Sequence, residues 1–243
     1  PSGLVDYSIN KPAQETSAVL EAETDFNVGT GGSLEASLPI KGTDAAFFGG
    51  AGFFGRNYAY GDKAIVGNYA GVFEWRPSAT SEIIAFGSGQ YRGKAEPQPS
   101  ILVGGDYLPP EIERERNLAQ PWAESEYLTQ AWGLIAKMPL AGMRLETGVF
   151  YAHHNDFSWF SDQMTGVTPD GAVGQRFIIT RADQKEGSLS GEMRLIKPLD
   201  SRNMLMLSVR GRDRSRQFGG AQRIDLGPST LLEGDIRELP EIN

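Results

Sequence analysis

The stretch RLETGVFYAHH, residues 144–154, limits the folds open to this chain more than any other part of it. Leu145, Thr147, Val149 and Tyr151 fall on one side of an extended backbone, with Met143 just before them. Arg144, Glu146, Gly148, Phe150 and Ala152 fall on the other. Side chains on a strand alternate between faces, so one face is apolar and the other carries ionic groups. A strand of roughly 9–11 residues crosses a bilayer at a tilt. An apolar outer face and a charged inner one predict an all-β, antiparallel transmembrane β-barrel.

The rest of the sequence agrees. With Gly 30, Pro 14 and only 40% hydrophobic residues, the chain favours short strands and turns over amphipathic helices. It has no run of about 18 apolar residues, the minimum for a transmembrane helix, but barrel strands hide half their hydropathy by alternation. The net charge of -8 excludes a general nucleic-acid binder, which needs a basic face. Cys 0 excludes disulfides and thiol chemistry. No signal peptide opens the chain, and an exported barrel needs one, so the N-terminus is expected to have been cut away.

Period-two segments cover residues 17–27, 33–40, 45–58, 64–75, 81–92, 124–138, 144–154, 188–196 and 204–214, which makes about nine strands. Short connectors (41–44, 76–80, 139–142, 197–203) take turns with longer ones, and those at 93–122 and 155–185 are far above the usual loop length. Short turns at one end and long loops at the other match outer-membrane barrels. The spacing predicts a single meander with all four short turns at one end and a period-less tail from 217. Glycines and phenylalanines pair up in AAFFGGAGFFGRNY, which predicts either a bulge or a close backbone approach. An odd strand count leaves an edge that lipid does not tolerate, so the expectation is a truncated part of a larger barrel.

The opening PSGLVDYSINKP carries a family resemblance through Pro1, Ser2, Gly3, Val5, Asp6, Lys11 and Pro12. It resembles the end of the plug domain in TonB-dependent outer-membrane receptors, where such a segment leads straight into the first barrel strand. Asp6 stands where asparagine is more usual. The loop segment LPPEIERERNLAQPWAE is similar to one found in siderophore-receptor-like members. The resemblance implies the end of a plug at residues 1–12 and the first part of a barrel at 13–243, within a plugged barrel of about 22 strands. It also implies an outer-membrane location, a lipid bilayer around the wall, energy from the TonB complex through a plug and TonB box, and a ferric siderophore or similar scarce ligand. Residues 3–10 are too few to span the membrane, so they are expected inside the barrel, not in its wall.

Loop residues are where ligand selection concentrates. Tyr107, Arg114, Arg116 and Trp122 in the first long loop, and Trp159 in the second, offer donors and aromatic surface to an anionic or catecholate-type ligand. His153 and His154 point to opposite faces of a strand, so they cannot share a metal; His154 and Asp156 can meet on one face. Two ligands fall short of a metal site, and no cofactor is implied. The glycine-rich GGAGFFGR precedes no helix, so it is no phosphate loop. No Ser-His-Asp arrangement stands out, which leaves an enzyme reading without support. A passive porin and a soluble β-sandwich binding module remain as alternatives.

Overall fold

The computed structural model describes residue 12 and residues 15–26, 29–58 and 63–238. Of the plug-like opening only Pro12 is among them, so the expectation for residues 1–11 lies outside the described residues.

The described strands are β1 (Ser17–Thr24), β2 (Thr30–Ile40), β3 (Ala45–Asn57), β4 (Lys63–Ser78), β5 (Ser81–Ala95), β6 (Ser100–Val103), β7 (Ser125–Leu140), β8 (Met143–Val167), β9 (Ala172–Pro198), β10 (Met204–Gln217) and β11 (Ala221–Thr230). They form one sheet in the order β1-β2-β3-β4-β5-β7-β8-β9-β10, with β6 on β8 and β11 on β9. A sandwich would need two packed sheets. The nine strands along this path are the expected wall, and each pairing along it is antiparallel.

The short turns after β2, β4, β7 and β9 all lie at one end, as the connector lengths predicted. Leu140 faces Met143 across a two-residue turn in which Ala141 (φ 50) and Gly142 (φ 75) are both left-handed. Two positive φ values match the twist of the flanking strands. The last turn is held by Asp200, whose carboxylate accepts from Arg202 N and Asn203 N at 2.8 and 2.9 Å.

Register carries the alternation across the whole wall. One continuous outer face bears Leu34, Phe47, Tyr69, Phe73, Leu134, Val149, Leu189, Met193, Leu205 and Leu207. The opposite face carries most of the charges, while Lys197 and Asp213 share the outer parity towards the two ends of the band. Glu82, Lys137, Glu146 and Arg194 are side-by-side neighbours on β5, β7, β8 and β9, an alternating row near the short-turn end. Glu82 meets Lys137 at 3.2 Å, while Arg144–Glu146 (3.0 Å) and Arg194–Glu192 (2.6 Å) close along their own strands. Mid-membrane lipid penalises Arg or Lys by about 2–4 kcal/mol, so this face is the lumen. β3 keeps unbroken register on both sides, so its glycines mark close approach and not a bulge. A Cβ on Gly49 would meet the Phe47 ring at 2.6 Å.

Three expectations need correction. Residues 155–185 are not a connector: β8 and β9 run through them and turn only between Val167 and Ala172. The tail is not shapeless, because β11 continues the line of β10 along β9 in the same register after a break at Phe218–Gly220. The meander is not single either, since β6 leaves the path and pairs in parallel with β8. All three follow from one cause. Beyond the lipid band water lies outside the wall and protein lies inside it, so the apolar side changes. Phe160, Met164, Ile178, Ile224 and Leu226 sit at the inward positions, whereas Ser161, Gln163, Arg181, Arg223 and Asp225 face out. A search for lipid-facing alternation passes over such strands.

Candidate functional site: the lumen wall and its folded cap

The extension of β8 and β9 is roofed on its inner side by the first long loop and by residues 231–237. Leu118, Met164, Val167, Val173 and Leu231 form one buried cluster, with Ile101 and Ile112 packed against it. Ala123, Ile178, Ile224 and Leu226 form a second, joined by Trp122 and Phe160. At the centre is a fully buried ion pair. Arg176 Nε donates to both Asp162 oxygens at 3.2 Å, and Nη2 reaches Asp162 again. The remaining donors go to backbone carbonyls, Nη1 to Asp235 O at 3.0 Å and Nη2 to Leu118 O. One guanidinium therefore ties β8, β9, the long loop and the tail together. Burial pushes the Asp162 carboxyl above the usual carboxylate range, against the pull of Arg176.

Gln120, also fully buried, extends the seam: its Nε2 donates to Asp235 O at 2.6 Å, and its Oε1 accepts from Arg237 N at 2.8 Å. Arg237 in turn holds Asp235 below the ordinary range.

Three of the five loop residues singled out from the sequence are spent on this cap. Tyr107 Oη donates to Val167 O at 2.7 Å, Trp122 Nε1 donates to Arg237 O at 2.9 Å, and Arg116 Nη1 donates to Leu231 O at 3.2 Å and to Leu232 O. Arg114 stands exposed on the loop. Trp159 is on strand β8 and not in a loop; it faces outward with the Arg181 guanidinium 4.5 Å from its ring centroid. The structure thus draws three of the five side chains into the cap, leaves Arg114 on its exposed surface and puts Trp159 on the outer face of the wall.

Beneath the cap the lumen wall carries a feature that lies in a strand and not in the long loops. Arg210, Arg212, Arg214 and Arg216 occupy alternate positions of β10 and so share its lumen face. Arg210 lies opposite Glu192, Arg212 Nε donates to Ser188 Oγ at 2.9 Å, Arg214 pairs with Glu186, and Arg216 stacks on Phe218 at 4.1 Å. Beside the ladder is a hollow of about 770 Å³ lined by Phe86, Phe150, Ser190, Glu192, Arg210 and Arg212. The two phenylalanine rings meet at 6.1 Å, centroid to centroid. A second hollow, about 500 Å³, is lined by uncharged groups such as Asn68, Ser88, Gln90 and Thr129, with Glu35 at its side. Guanidinium donors next to an aromatic floor suit a flat anionic ligand.

The two histidines behave as their parity dictates. His153 stacks on Tyr151 outside the wall at 6.1 Å. His154 is on the lumen side, with Nδ1 2.8 Å from Thr129 Oγ1 and Nε2 2.9 Å from Asp156 Oδ1, the meeting expected from the sequence. No group of three or more metal-binding side chains occurs among the described residues.

Against solved structures, the chain superposes on the FpvAI–pyocin S2 complex with a TM-score of 0.70 at 12% identity, over 93% of this chain and 30% of that one. The likeness is one of fold, to a stretch of outer-membrane β-barrel wall. The ferripyoverdine receptor of the outer membrane of Pseudomonas aeruginosa, bound to ferripyoverdine, matches at 0.66 and 12% identity, over 89% of this chain and 34% of that one. P. aeruginosa FpvA bound to a heterologous pyoverdine matches at 0.68 and 13%, over 88% and 29%. The chain spans about a third of the length of these proteins. No protein-family model and no curated protein matches the sequence.

Proposed function

We propose that this chain forms part of the wall of a TonB-dependent outer-membrane receptor that imports a ferric siderophore or a similarly scarce anionic chelate. The observation that carries the reading is the arginine ladder at 210, 212, 214 and 216, set on the lumen face beside the Phe86–Phe150 hollow and below a folded cap. A wall carrying this much charge needs a wet lumen and a polar occupant, which a plug domain and a passing anionic ligand supply. The resemblance of residues 1–12 to a plug end supports energy coupling through TonB, and the likeness to the ferripyoverdine receptor supports an iron chelate as ligand. Arg114 is the one of the loop arginines left exposed to meet that ligand.

The test is iron-55 uptake by cells carrying the complete receptor, with ferripyoverdine and a neutral ferric hydroxamate offered separately. Uptake of the anionic chelate is expected to need TonB and to fall at least tenfold in Arg212→Ser/Arg214→Ser. Uptake that persists without TonB would favour a passive porin. Uptake that needs TonB but ignores the arginine pair would keep the receptor and remove the ladder from its ligand path.

A further inference from the structure

We propose that the outward face of the cap strands binds the phosphorylated headgroup of a glycolipid in the outer leaflet, through Arg181 on β9 and Arg223 on β11. This inference rests on the outer-membrane reading above, but not on any ligand for the lumen.

Parity places both arginines on the outer face. They sit opposite the buried side of the strands, where Ile178 and Ile224 pack inward against the cap. Arg181 pairs with Ala221 and Arg223 with Ile179, so the two arginines are diagonal neighbours on adjacent strands, within reach of one small anion. Each guanidinium lies on an aromatic ring of the same face, Arg181 4.5 Å from the centroid of Trp159 and Arg223 3.8 Å from that of Phe177. Stacking fixes the plane of a guanidinium while its N–H edge stays open for bidentate contact with a phosphate. Neither arginine makes a salt bridge among the described residues. Two acids share the face. Asp225 is occupied by Gln175 at 2.8 Å and by Gly227 N at 2.9 Å, although it still feels the charge of Arg223. Asp183 lies between Arg181 and Lys185 and leaves the diagonal of the two arginines clear.

Height decides what this patch meets. Val149, Leu189 and Tyr151 mark the upper part of the lipid-facing band. From Tyr151 to Trp159 the strand climbs roughly 26 Å along its own axis at about 3.3 Å per residue, and less along the membrane normal because barrel strands tilt. The patch is therefore continuous with the lipid-facing wall but stands above the acyl chains, where headgroup phosphates and sugars lie. The arginines supply charge, and the half-buried rings of Trp159 and Phe177 hold them in place.

The experiment uses the complete receptor in nanodiscs. Native mass spectrometry counts bound bisphosphorylated lipid A, with dephosphorylated lipid A and inorganic phosphate as separate probes. The expected result is retention of the phosphorylated glycolipid at least tenfold better than of the dephosphorylated form, lost in Arg181→Gln/Arg223→Gln and kept in the lumen control Arg212→Gln. Arg181→Lys/Arg223→Lys should fall between them, since it keeps the charge and loses the fork. Equal retention of the two glycolipids by the wild type would overturn the proposal, and that comparison stands even if a variant fails to fold. Inorganic phosphate that competes at equal concentration would replace the glycolipid by free phosphate and overturn it as stated.

Discussion

Replacing Arg176 by methionine should unfasten the cap without unfolding the barrel. Arg176 and Asp162 are both fully buried, and the guanidinium also satisfies the carbonyls of Leu118 and Asp235. Removing one partner of a buried ion pair costs about 3–5 kcal/mol, because the other charge stays uncompensated. Each carbonyl left dry adds about 1–3 kcal/mol, though water entering the opened seam reduces that part. Taking the pair alone, at about 1.4 kcal/mol per factor of ten, local opening should become roughly 10² to 4 × 10³ times more frequent. Amide hydrogen exchange of the complete receptor in micelles reads this directly at residues 118–123 and 231–237, while β2, β3 and β4 should exchange as in the wild type. The double variant Arg176→Met/Asp162→Leu removes both charges, and its exchange should return most of the way to the wild-type rate. Equal exchange in the wild type and the single variant would refute the argument, and so would a double variant as open as the single one.

The outer and lumen faces should respond differently to the same new charge: Val149→Arg should impair folding into liposomes by the about 2–4 kcal/mol that mid-membrane lipid imposes, and Glu146→Arg by much less. In a background where Trp132 is the only tryptophan, Gly87→Ala should push its indole off Gly87, where an added Cβ would come within 2.3 Å of the ring. Forcing a side chain off its rotamer costs about 0.5–1.5 kcal/mol, and quenching by brominated acyl chains should rise; unchanged quenching would contradict the packing. Asp235 is held below its ordinary value of 3.8 first by Arg237 and also by Ser229, so it stabilises the cap above that pH and loses this as pH falls through its lower folded value. The difference in cap protection between wild type and Asp235→Asn should therefore be full at neutral pH and shrink below about 3.8, and a difference that grows on acidification would reverse the sign.

The wall was legible in the sequence because lipid imposes a strict rule on it. Every second residue of a segment such as 144–154 must be apolar, register copies that rule from strand to strand, and short turns such as Ala141–Gly142 announce themselves by residue type. Facing and the meeting of His154 with Asp156 followed from period two, and the shared end of the four short turns from the alternation of connector lengths. The cap was not legible. Above the membrane the apolar side of β8 and β9 changes from outer to inner, and what makes Ile178 and Met164 core residues is a loop some forty or more residues away in sequence folding over them. That Tyr107, Arg116 and Trp122 bond to backbone carbonyls of the cap was not legible either, because sequence shows a side chain's chemistry and not which carbonyl it meets. The four arginines of β10 were visible as a period, but only pairing with β9, and the hollow beside Phe86 and Phe150, showed that they share a lumen wall. Alternation is a local consequence of the solvent around each strand, whereas a buried seam such as Asp162–Arg176 depends on which distant segments fold back to exclude water from it.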